Sequence, residues 1–308
     1  MTEEEKPLTR EDVLKLIEEN GGTAEGLDLR DRNLEEIDLS HRPDSLALDL
    51  HGIILYRANL KMADLSGADL QRADLARANL EKAWLGGANL QGAKLDGANL
   101  QGAKLTGTNL QGAELTDANL QEANLREAKL SRASLYGAKI SRDTKLEQSN
   151  WGSGCIVGEE AMGDFKHAAH VYRMLKQWYT DAGMYDIAGR FYYREAEAIR
   201  KGLSWREKPW PKLWNWVFRL LCGYAERPER VVFWAAVVVL SMAGIYTASA
   251  LSFPSALYYS AASFTALGYG LWVSAPEGWV KALGTAEAFI GVFLIALFLI
   301  TFVRKMTR

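Results

Sequence analysis

Leucine recurs at every fifth position along the first half of the chain. The series runs without interruption from Leu50 to Leu135, and Ile140 closes it as the nineteenth position. Two residues before each of these side chains, from position 58 to position 138, the residue is Ala, with Thr108 as the one exception. A five-residue period fits neither a helix nor the alternation of a strand, so internal repetition decides the fold here. Both residues of the pair are expected to point inward while successive turns of chain stack on one another.

The tandem pattern Ala-(Asp/Asn)-Leu-X-X, seen in "RANLKMADLSGADLQRADLARANL", resembles the pentapeptide-repeat family. This resemblance implies a right-handed quadrilateral β-helix with four repeats in each coil, which we assign to residues 26–150. A second leucine series precedes the main one, at Leu29, Leu34 and Leu39. The stretch "SHRPDSLA" interrupts that series and predicts a loop.

A short helix is predicted ahead of the repeats, within residues 1–25. In "TREDVLKLIEENGG", Thr9 is a candidate N-cap, Asp12 takes the place of the capping-box acid, and Gly21 and Gly22 stop the helix. Because a solenoid leaves an open end that needs a cap, we expect this helix to cover the N-terminal end of the repeats.

The charge of the repeat segment limits its function. Some pentapeptide-repeat proteins resemble DNA and bind topoisomerases, which requires a strongly acidic surface, but residues 56–140 hold 11 Lys and Arg against 9 Asp and Glu. A net charge of -2 for the whole chain gives no argument for a nucleic-acid partner. We expect the Asn residues of the repeats to support turns. The segment is then a rigid spacer or assembly scaffold, or a surface for a cytoplasmic protein or ligand.

Residues 151–204 predict an α-helical hairpin that serves as a connector. "GEEAMGDFKHAAHVYRMLKQWYTDAG" and "MYDIAGRFYYREAEAIRKGL" each carry a helical pattern, with Gly183 placed to stop the first helix. The joint "AGMYDIA" resembles the helical hairpins of TPR proteins. His167 and His170 have a spacing that could hold a metal, but no acidic or sulfur ligand accompanies them, so we expect packing or surface roles.

Residues 205–230 combine aromatic and basic side chains, and their mixture predicts a short amphipathic helix in the lipid headgroup layer. The side chains concerned are Trp205, Trp210, Trp214 and Trp216, interleaved with Lys212, Arg219, Arg227 and Arg230. A nucleic-acid patch is the alternative, and the apolar sequence that follows favours the membrane.

Two stretches of the second half are long and apolar enough to span about 30 Å of hydrocarbon. Residues 231–251 hold no charge, and residues 283–303 hold only Glu287. The loop between them holds one basic residue, Lys281, whereas basic residues flank the outer ends of both spans. The positive-inside rule then predicts a two-span protein of the plasma (inner) membrane with both termini in the cytoplasm. The acidic, polar start of the chain predicts no signal peptide.

The stretch "PSALYYSAASFTALGYGLW" lies between the two spans. Pro254 fits a helix N-terminus, and residues 255–265 make a helix too short to span but suited to a re-entrant position. Gly268 and Gly270 permit positive φ, so successive carbonyls can face one axis and replace an ion's hydration shell. The order span, re-entrant helix, Gly-Tyr-Gly, span resembles the two-helix potassium-channel pore over residues 231–308. That resemblance implies a homotetramer in which each chain supplies one quarter of a selectivity filter.

The filter departs from the family sequence Thr-Val-Gly-Tyr-Gly. The equivalent residues here are Ala266, Leu267, Gly268, Tyr269 and Gly270, preceded by Thr265. Ala266 lacks the hydroxyl of the innermost site, and Leu271 replaces the Asp that often follows. We still expect the carbonyls of residues 266–269 to form sites for monovalent cations. Permeation of K+ is expected, and selectivity for K+ over Na+ is left open. The resemblance implies that Tyr269 points away from the pore and braces the filter.

Four residues of the second span are further candidates. We expect Glu287 to support the filter by hydrogen bonding or to attract cations at the outer mouth, with an interfacial carboxylate among the outer headgroups as the alternative. Gly291 resembles the hinge glycine of the inner helix, and packing against the outer helix is an equal alternative. Phe298 and Phe302 are candidates for an apolar gate near the cytoplasmic end.

The sequence therefore predicts a multidomain chain, with a β-helix, a helical hairpin linker, an interfacial helix and an all-α two-helix tetrameric pore. Its expected function is cation conduction across a lipid bilayer, without a cofactor and with permeant monovalent cations, K+ above all, as its ligands. There is no Arg-rich voltage-sensor pattern and no G-x-G-x-x-G nucleotide-binding unit.

Other classes of protein are weaker interpretations. One is a membrane-anchored repeat scaffold that does not conduct, and another is a membrane-tethered, topoisomerase-binding DNA mimic. An enzyme is least favoured, because we find no nucleophile with a base, no paired carboxylates and no metal cluster. Cys155 and Cys222 lie far apart, which argues against a disulfide framework or a zinc site.

Overall fold

The computed structural model divides the chain into two compact units, Met1–Gly202 and Leu203–Arg308. It describes residues 6–41, 48–204, 209–224, 226–248, 251–266 and 278–306, except for the side chains of residues 304 and 305. The first unit contains the repeats and the connector helices, and the second contains the apolar helices.

The repeats wind the chain into coils of twenty residues. Single-residue parallel bridges join positions twenty apart, such as Asp69 with Asn89 and Asn79 with Asn99. The amide of Leu95 donates to the carbonyl of Glu114 in the next coil at 2.7 Å, and every leucine of the series from position 50 to position 120 makes the equivalent bond. Four five-residue repeats therefore form one coil.

The described part of the repeats contains no continuous strand. In each repeat one residue forms a bridge and two residues form a turn, so the chain changes direction before a second consecutive residue can pair. The stacking of coils is defined by these hydrogen bonds, while the right-handed β-helix stays a prediction.

The inward positions of the repeats are those that the period predicted. Leu95 and Ala93 have no exposed surface, and Thr108, the exception in the Ala series, is also fully buried. The Thr108 hydroxyl donates to the carbonyl of Leu85 at 2.7 Å, which satisfies the one polar group of this core column. The residue before each Ala is left-handed, with φ of +66° at Gly97, and glycine recurs there because it takes this conformation without strain.

One column of asparagines runs up the side of the stack. The side-chain amide of Asn79 donates to the side-chain carbonyl of Asn59 one coil earlier at 3.1 Å, and Asn99 and Asn119 continue the ladder at 3.2 and 3.1 Å. Each side-chain carbonyl also accepts from the backbone amide two residues on, as Asn99 does from Gln101 at 3.3 Å. The prediction that these asparagines support turns is confirmed, and the ladder adds a bond between coils.

A helix closes the N-terminal end of the stack. Helix α1, Arg10–Glu19, has the Thr9 and Asp12 capping box that the sequence predicted, and its Val13 is fully buried against the repeat core. The early leucine series forms the coil beneath, since Asp28 bridges Ile54, 26 positions on (54 − 28). That spacing is six residues more than twenty. The spacing returns to twenty at Asp49, which bridges Asp69, and positions 42–47 of the predicted loop "SHRPDSLA" lie outside the described residues.

Three helices follow the repeats, namely α2, Gly158–Ala161, α3, Phe165–Asp181, and α4, Tyr185–Gly202. The expectation of one continuous helical pattern from Gly158 was wrong. Gly163 has φ of +84°, and the side chain of Asp164 accepts from the amide of His167 at 3.1 Å, so the chain turns and α3 begins with a new cap.

A buried carboxylate ends the stack of coils. The amide of Leu115 donates to Ser134 of the following coil, but Leu135 has no such neighbour. The carboxylate of Glu159 accepts from the amides of Leu135 at 2.6 Å and Tyr136 at 2.7 Å instead. Glu159 is only 4% exposed, so this oxygen replaces a backbone carbonyl at the last edge.

The hairpin of α3 and α4 packs through aromatic side chains. Tyr172, Leu175 and Tyr179 of α3 are fully buried, as the helical pattern predicted. The Tyr179 hydroxyl donates to the carbonyl of Leu146 at 3.0 Å, and burial raises the pKa of Tyr179 to about 12, so it stays a neutral donor.

The two histidines of α3 have packing roles, as expected. The ring of His167 lies 3.9 Å from that of Tyr136, and its Nδ1 lies 2.5 Å from the carboxylate of Asp164. His170 lies edge-on to the same tyrosine at 5.8 Å. In the parts of the chain that the structure describes, no three His, Cys, Asp or Glu side chains group as metal ligands.

The second unit consists of α5, Pro209–Cys222, α6, Pro228–Ala248, α7, Phe253–Thr265, and α8, Trp279–Met306. Both long helices begin three or four residues earlier than the apolar stretches predicted. A proline fits the first turn of α6 because it needs no amide donor there. The apolar stretches begin after the last charged residue, whereas both helices begin before it.

Glu159→Ala should loosen the C-terminal end of the repeats. It leaves two buried amides without an acceptor, at a cost of about 2 kcal/mol or more in the free energy of opening that end. The chain has only two cysteines, so in a Cys222→Ser background the buried Cys155 reports opening by its rate of thiol labelling. We expect labelling to accelerate on the order of 30-fold.

Two matched variants control this experiment. Glu159→Gln keeps an acceptor oxygen and should label near the wild-type rate. Glu147→Ala removes a half-exposed partner of Arg126 and should cost less than about 1 kcal/mol. Equal labelling rates for Glu159→Ala and the wild type would contradict the edge role of Glu159.

Candidate functional site

Helix α7 is a short helix held between two long ones. Its 13 residues measure about 20 Å, less than the roughly 30 Å of a hydrocarbon layer. It begins after Ser252 with Pro254 in its first turn, close to the predicted start. It ends at Thr265, where Ala266 takes a left-handed conformation with φ of +54°.

Two apolar clusters fix α7 against its neighbours. In one cluster, Tyr246 of α6 meets Tyr259 of α7 edge-on, with ring centroids 4.8 Å apart, and Val280 of α8 joins them. In the other, Phe264 at the end of α7 is buried with side chains of α5, α6 and α8, namely Cys222, Val231, Leu294 and Leu297. Between Ala256 and Phe264, helix α7 therefore contacts both spans.

The predicted filter lies at the C-terminal end of α7. Leu267, Gly268, Tyr269 and Gly270 are outside the described residues, which include Thr265 and Ala266. The Thr265 hydroxyl donates to the carbonyl of Ala261 in its own helix at 2.8 Å. This hydroxyl is therefore engaged within α7, and the ion-binding role of the six filter residues stays a prediction.

Glu287 lies at the junction of the three helices and is only 1% exposed. Its carboxylate accepts from the hydroxyl of Tyr246 on α6 at 2.8 Å and from the hydroxyl of Ser260 on α7. The Ser260 hydroxyl also lies 2.9 Å from the carbonyl of Val239. The carboxylate is therefore held between three helices and not exposed, while its support of the filter stays a prediction.

Sequence reasoning missed Tyr246 and Ser260. They lie 41 and 27 residues from Glu287, and both are fully buried. A signal was available, since a polar group inside a span needs an internal partner, and these are hydroxyls within otherwise apolar helices. Only the packing of α6, α7 and α8 identifies which hydroxyls donate to the Glu287 carboxylate.

Gly291 marks a close approach between α8 and the end of α7. A Cβ added at this glycine would lie 1.8 Å from the carbonyl oxygen of Phe264. The glycine thus packs on α7, and its packing against the outer helix stays an open alternative. The hinge role stays a prediction.

The two gate candidates stack on each other near the end of α8. The rings of Phe298 and Phe302 have centroids 5.5 Å apart and lie 24° from parallel. Phe302 is 43% exposed, and Phe298 packs against the cluster that contains Leu294 and Leu297. The stack is a structural fact, while its role as a gate stays a prediction.

Helix α5 has a row of exposed aromatic side chains, as an interfacial helix would. Trp210, Trp214 and Trp216 are 70%, 57% and 46% exposed, and Trp205 lies outside the described residues. The end of α5 is tied to α6, since the indole of Trp234 donates to the carbonyl of Leu220 at 3.0 Å.

Two helices of the second unit are long and apolar enough to cross a membrane, Pro228–Ala248 and Trp279–Val303. Only 17% and 28% of their most apolar stretches are buried within the chain. A core helix of a soluble protein would be covered by other residues, so this exposure fits a pair of spans.

Family models match both halves of the chain. Pentapeptide repeats match residues 48–72, 73–112 and 108–150, and an ion channel model matches residues 231–308. Neither family is a class of enzymes. A comparison with curated proteins found no match.

The solved structures that resemble the chain are pentapeptide repeat proteins. One, from the cyanobacterium Cyanothece 51142, is 32% identical over 41% of this chain and 91% of its own length, with a TM-score of 0.24. Another, from Nostoc PCC 7120, is 29% identical over 47% of this chain and 98% of its own, with a TM-score of 0.18. HetL, from Nostoc sp. strain PCC 7120, is 25% identical over 46% and 94%, with a TM-score of 0.22. Such TM-scores carry no structural argument, so the relationship rests on sequence.

The pentapeptide repeats and the helical channel region together define a membrane protein of two parts. The chain is a pentapeptide-repeat protein that carries an ion channel domain at residues 231–308. This confirms the resemblance drawn from the repeats and from the two spans.

Gly291→Ala should destabilise the second unit, because the added methyl would overlap the Phe264 carbonyl and push α8 away from α7. We expect a loss of about 1–3 kcal/mol in stability, read as a lower midpoint in a thermal scan of the full-length protein in detergent. Gly244→Ala, also in a span, meets nothing within 4 Å and should not lower the midpoint. Equal midpoints for the two variants would contradict the close approach.

Proposed function

We propose that this protein is a homotetrameric cation channel that conducts K+ through a filter of sequence Ala-Leu-Gly-Tyr-Gly. The observation that carries the proposal is the position of α7, a helix too short to span that ends at the left-handed Ala266, with only Leu267 between this residue and Gly-Tyr-Gly. Two apolar helices flank it, within a segment that matches an ion channel family. Carbonyls of residues 266–269 would coordinate the ion.

A tetramer is supported because one chain alone can form neither a complete filter nor an enclosed pore. One chain supplies one quarter of a ring of carbonyls, and a single α8 cannot surround a pore. Helix α8 exposes large apolar side chains along its length, with Phe289 at 76% and Ile300 at 62%. In a tetramer these side chains would contact neighbouring chains or lipid instead of water.

The repeats would serve this channel as its cytoplasmic part. Basic residues flank the outer ends of the spans, which supports a cytoplasmic location for both termini. Residues 26–150 would form a right-handed quadrilateral β-helix that organises the tetramer or receives the gating stimulus. A non-conducting scaffold is not favoured, because it gives no reason for a Gly-Tyr-Gly after a re-entrant helix.

Ion flux from liposomes tests the proposal. Full-length protein is reconstituted with K+ inside and Na+ outside, tetramers are counted by cross-linking, and the ions are then exchanged. We expect K+ efflux from the wild type and none from Gly270→Ala, because an added side chain prevents the carbonyls from all facing the axis. Gly244→Ala is the matched control and should conduct. Flux from Gly270→Ala equal to that of the wild type would refute the filter, and intact tetramers without flux would favour the scaffold.

Ala266→Thr should sharpen selectivity, because it adds the hydroxyl that the innermost site lacks. We expect the K+/Na+ permeability ratio to rise about fivefold, the ratio that one hydrogen bond of about 1 kcal/mol supplies. The reversal potential under mixed K+ and Na+ measures this ratio. Ala282→Thr makes the same substitution at an exposed position of α8 and should leave the ratio unchanged. An unaltered reversal potential in Ala266→Thr would mean that another site controls selectivity.

A further inference from the structure

The buried side of α8 contains small and polar residues in its first half and leucines in its second half. Gly284, Glu287, Gly291, Leu294 and Leu297 follow one another at intervals of three or four residues and form one buried stripe. The first three face α7, and the last two belong to the apolar cluster that joins Phe264 at the end of α7 to α5 and α6. The part of α8 from Gly284 to Gly291 therefore lies directly along α7.

Contact along this part of α8 depends on two glycines, one against a side chain of α7 and one against its backbone. A Cβ at Gly284 would lie 2.5 Å from the hydroxyl of Tyr259, and a Cβ at Gly291 would lie 1.8 Å from the carbonyl of Phe264. Glu287, between these two glycines, contributes the one ionisable side chain of the stripe. Two glycines thus bring the helices close enough for a carboxylate to bridge them.

The bridge joins α6, α7 and α8. Tyr246 of α6 and Ser260 of α7 donate to different oxygens of the Glu287 carboxylate, and Ser260 also contacts the Val239 carbonyl of α6. All three side chains are at most 1% exposed, so water does not replace a lost partner. An oxygen left without a donor there would carry the full cost of its desolvation.

We propose that the Glu287 bridge, made of Glu287, Tyr246 and Ser260, is a positioning device that sets the geometry of the ion filter. The inference rests on the proposed function and deepens it. Ser260 lies six residues before Ala266, about 9 Å along the helix axis, so a displacement of α7 at Ser260 is transmitted to the first filter residue. Glu287 itself does not contact the ion and acts through α7.

Single-oxygen deletions test the bridge without enlarging any side chain. Tyr246→Phe and Ser260→Ala each remove one donor, and Glu287→Ala removes both acceptors. Thr247→Val removes a hydroxyl next to Tyr246 that donates only within its own helix, to Ala243 at 2.8 Å, and is the matched control. Glu287→Gln is the conservative variant, because its amide oxygen can accept from Tyr246 while its NH2 group donates to the Ser260 hydroxyl, which then donates to the Val239 carbonyl.

The measurement is the K+/Na+ permeability ratio of full-length channels in planar bilayers, taken from reversal potentials. This ratio belongs to the open pore and does not change with the number of folded channels, so a purely structural role would leave it constant. We expect Tyr246→Phe and Ser260→Ala each to lower it about fivefold. Glu287→Ala should lower it further, with little added by a second deletion in the bridge. Glu287→Gln and Thr247→Val should stay within about twofold of the wild type.

The outcomes separate this inference from the function on which it rests. If the wild type conducts and the two single-oxygen deletions leave its ratio unchanged, the bridge has no positioning role. A fall in Thr247→Val equal to that in Tyr246→Phe would also overturn it, since loss of any hydroxyl would then suffice. If wild-type tetramers carry no cation current, the proposed function fails and the inference falls with it.

Discussion

The buried backbone groups of the repeats need partners, which they find in a neighbouring coil or within their own turn, and the rest of the first unit depends on this requirement. The inward Leu and Ala side chains hold the coils together, but the amides of the leucines make the coils stack at one spacing. A stack built this way has two unpaired ends, and an unpaired edge invites further pairing. At one end α1 covers the core, and at the other end Glu159 supplies the missing acceptor.

The closing helices are held by charge as well as by packing. Glu160 accepts from the Tyr172 hydroxyl at 2.5 Å and from Lys201 at 2.8 Å, and Arg194 lies 3.1 Å away. Burial raises the pKa of the Tyr172 hydroxyl, which therefore remains a donor to this carboxylate. These contacts join α2 to α3 through Tyr172 and to α4 through Lys201 and Arg194.

Buried polar groups of the second unit also need hydrogen-bonding partners, and here the surrounding solvent is hydrocarbon. Hydrocarbon offers no hydrogen bonds, so a carboxylate inside a span is retained only where the protein supplies donors. Glu287 meets that condition through hydroxyls on two other helices. Its satisfaction and the close approach at Gly291 keep a helix that cannot cross the membrane in place between two that can.

Sequence alone determined whatever depends on local repetition and length. The five-residue period placed Leu and Ala inside, the capping box of Thr9 and Asp12 began α1, and two apolar runs identified the spans, because each of these follows from nearby residues. Tertiary structure decided the long-range pairs. Glu159 at the last coil, the break at Gly163 and the hydroxyls that reach Glu287 depend on groups brought together across 23 to 41 residues or on a backbone conformation that no period encodes.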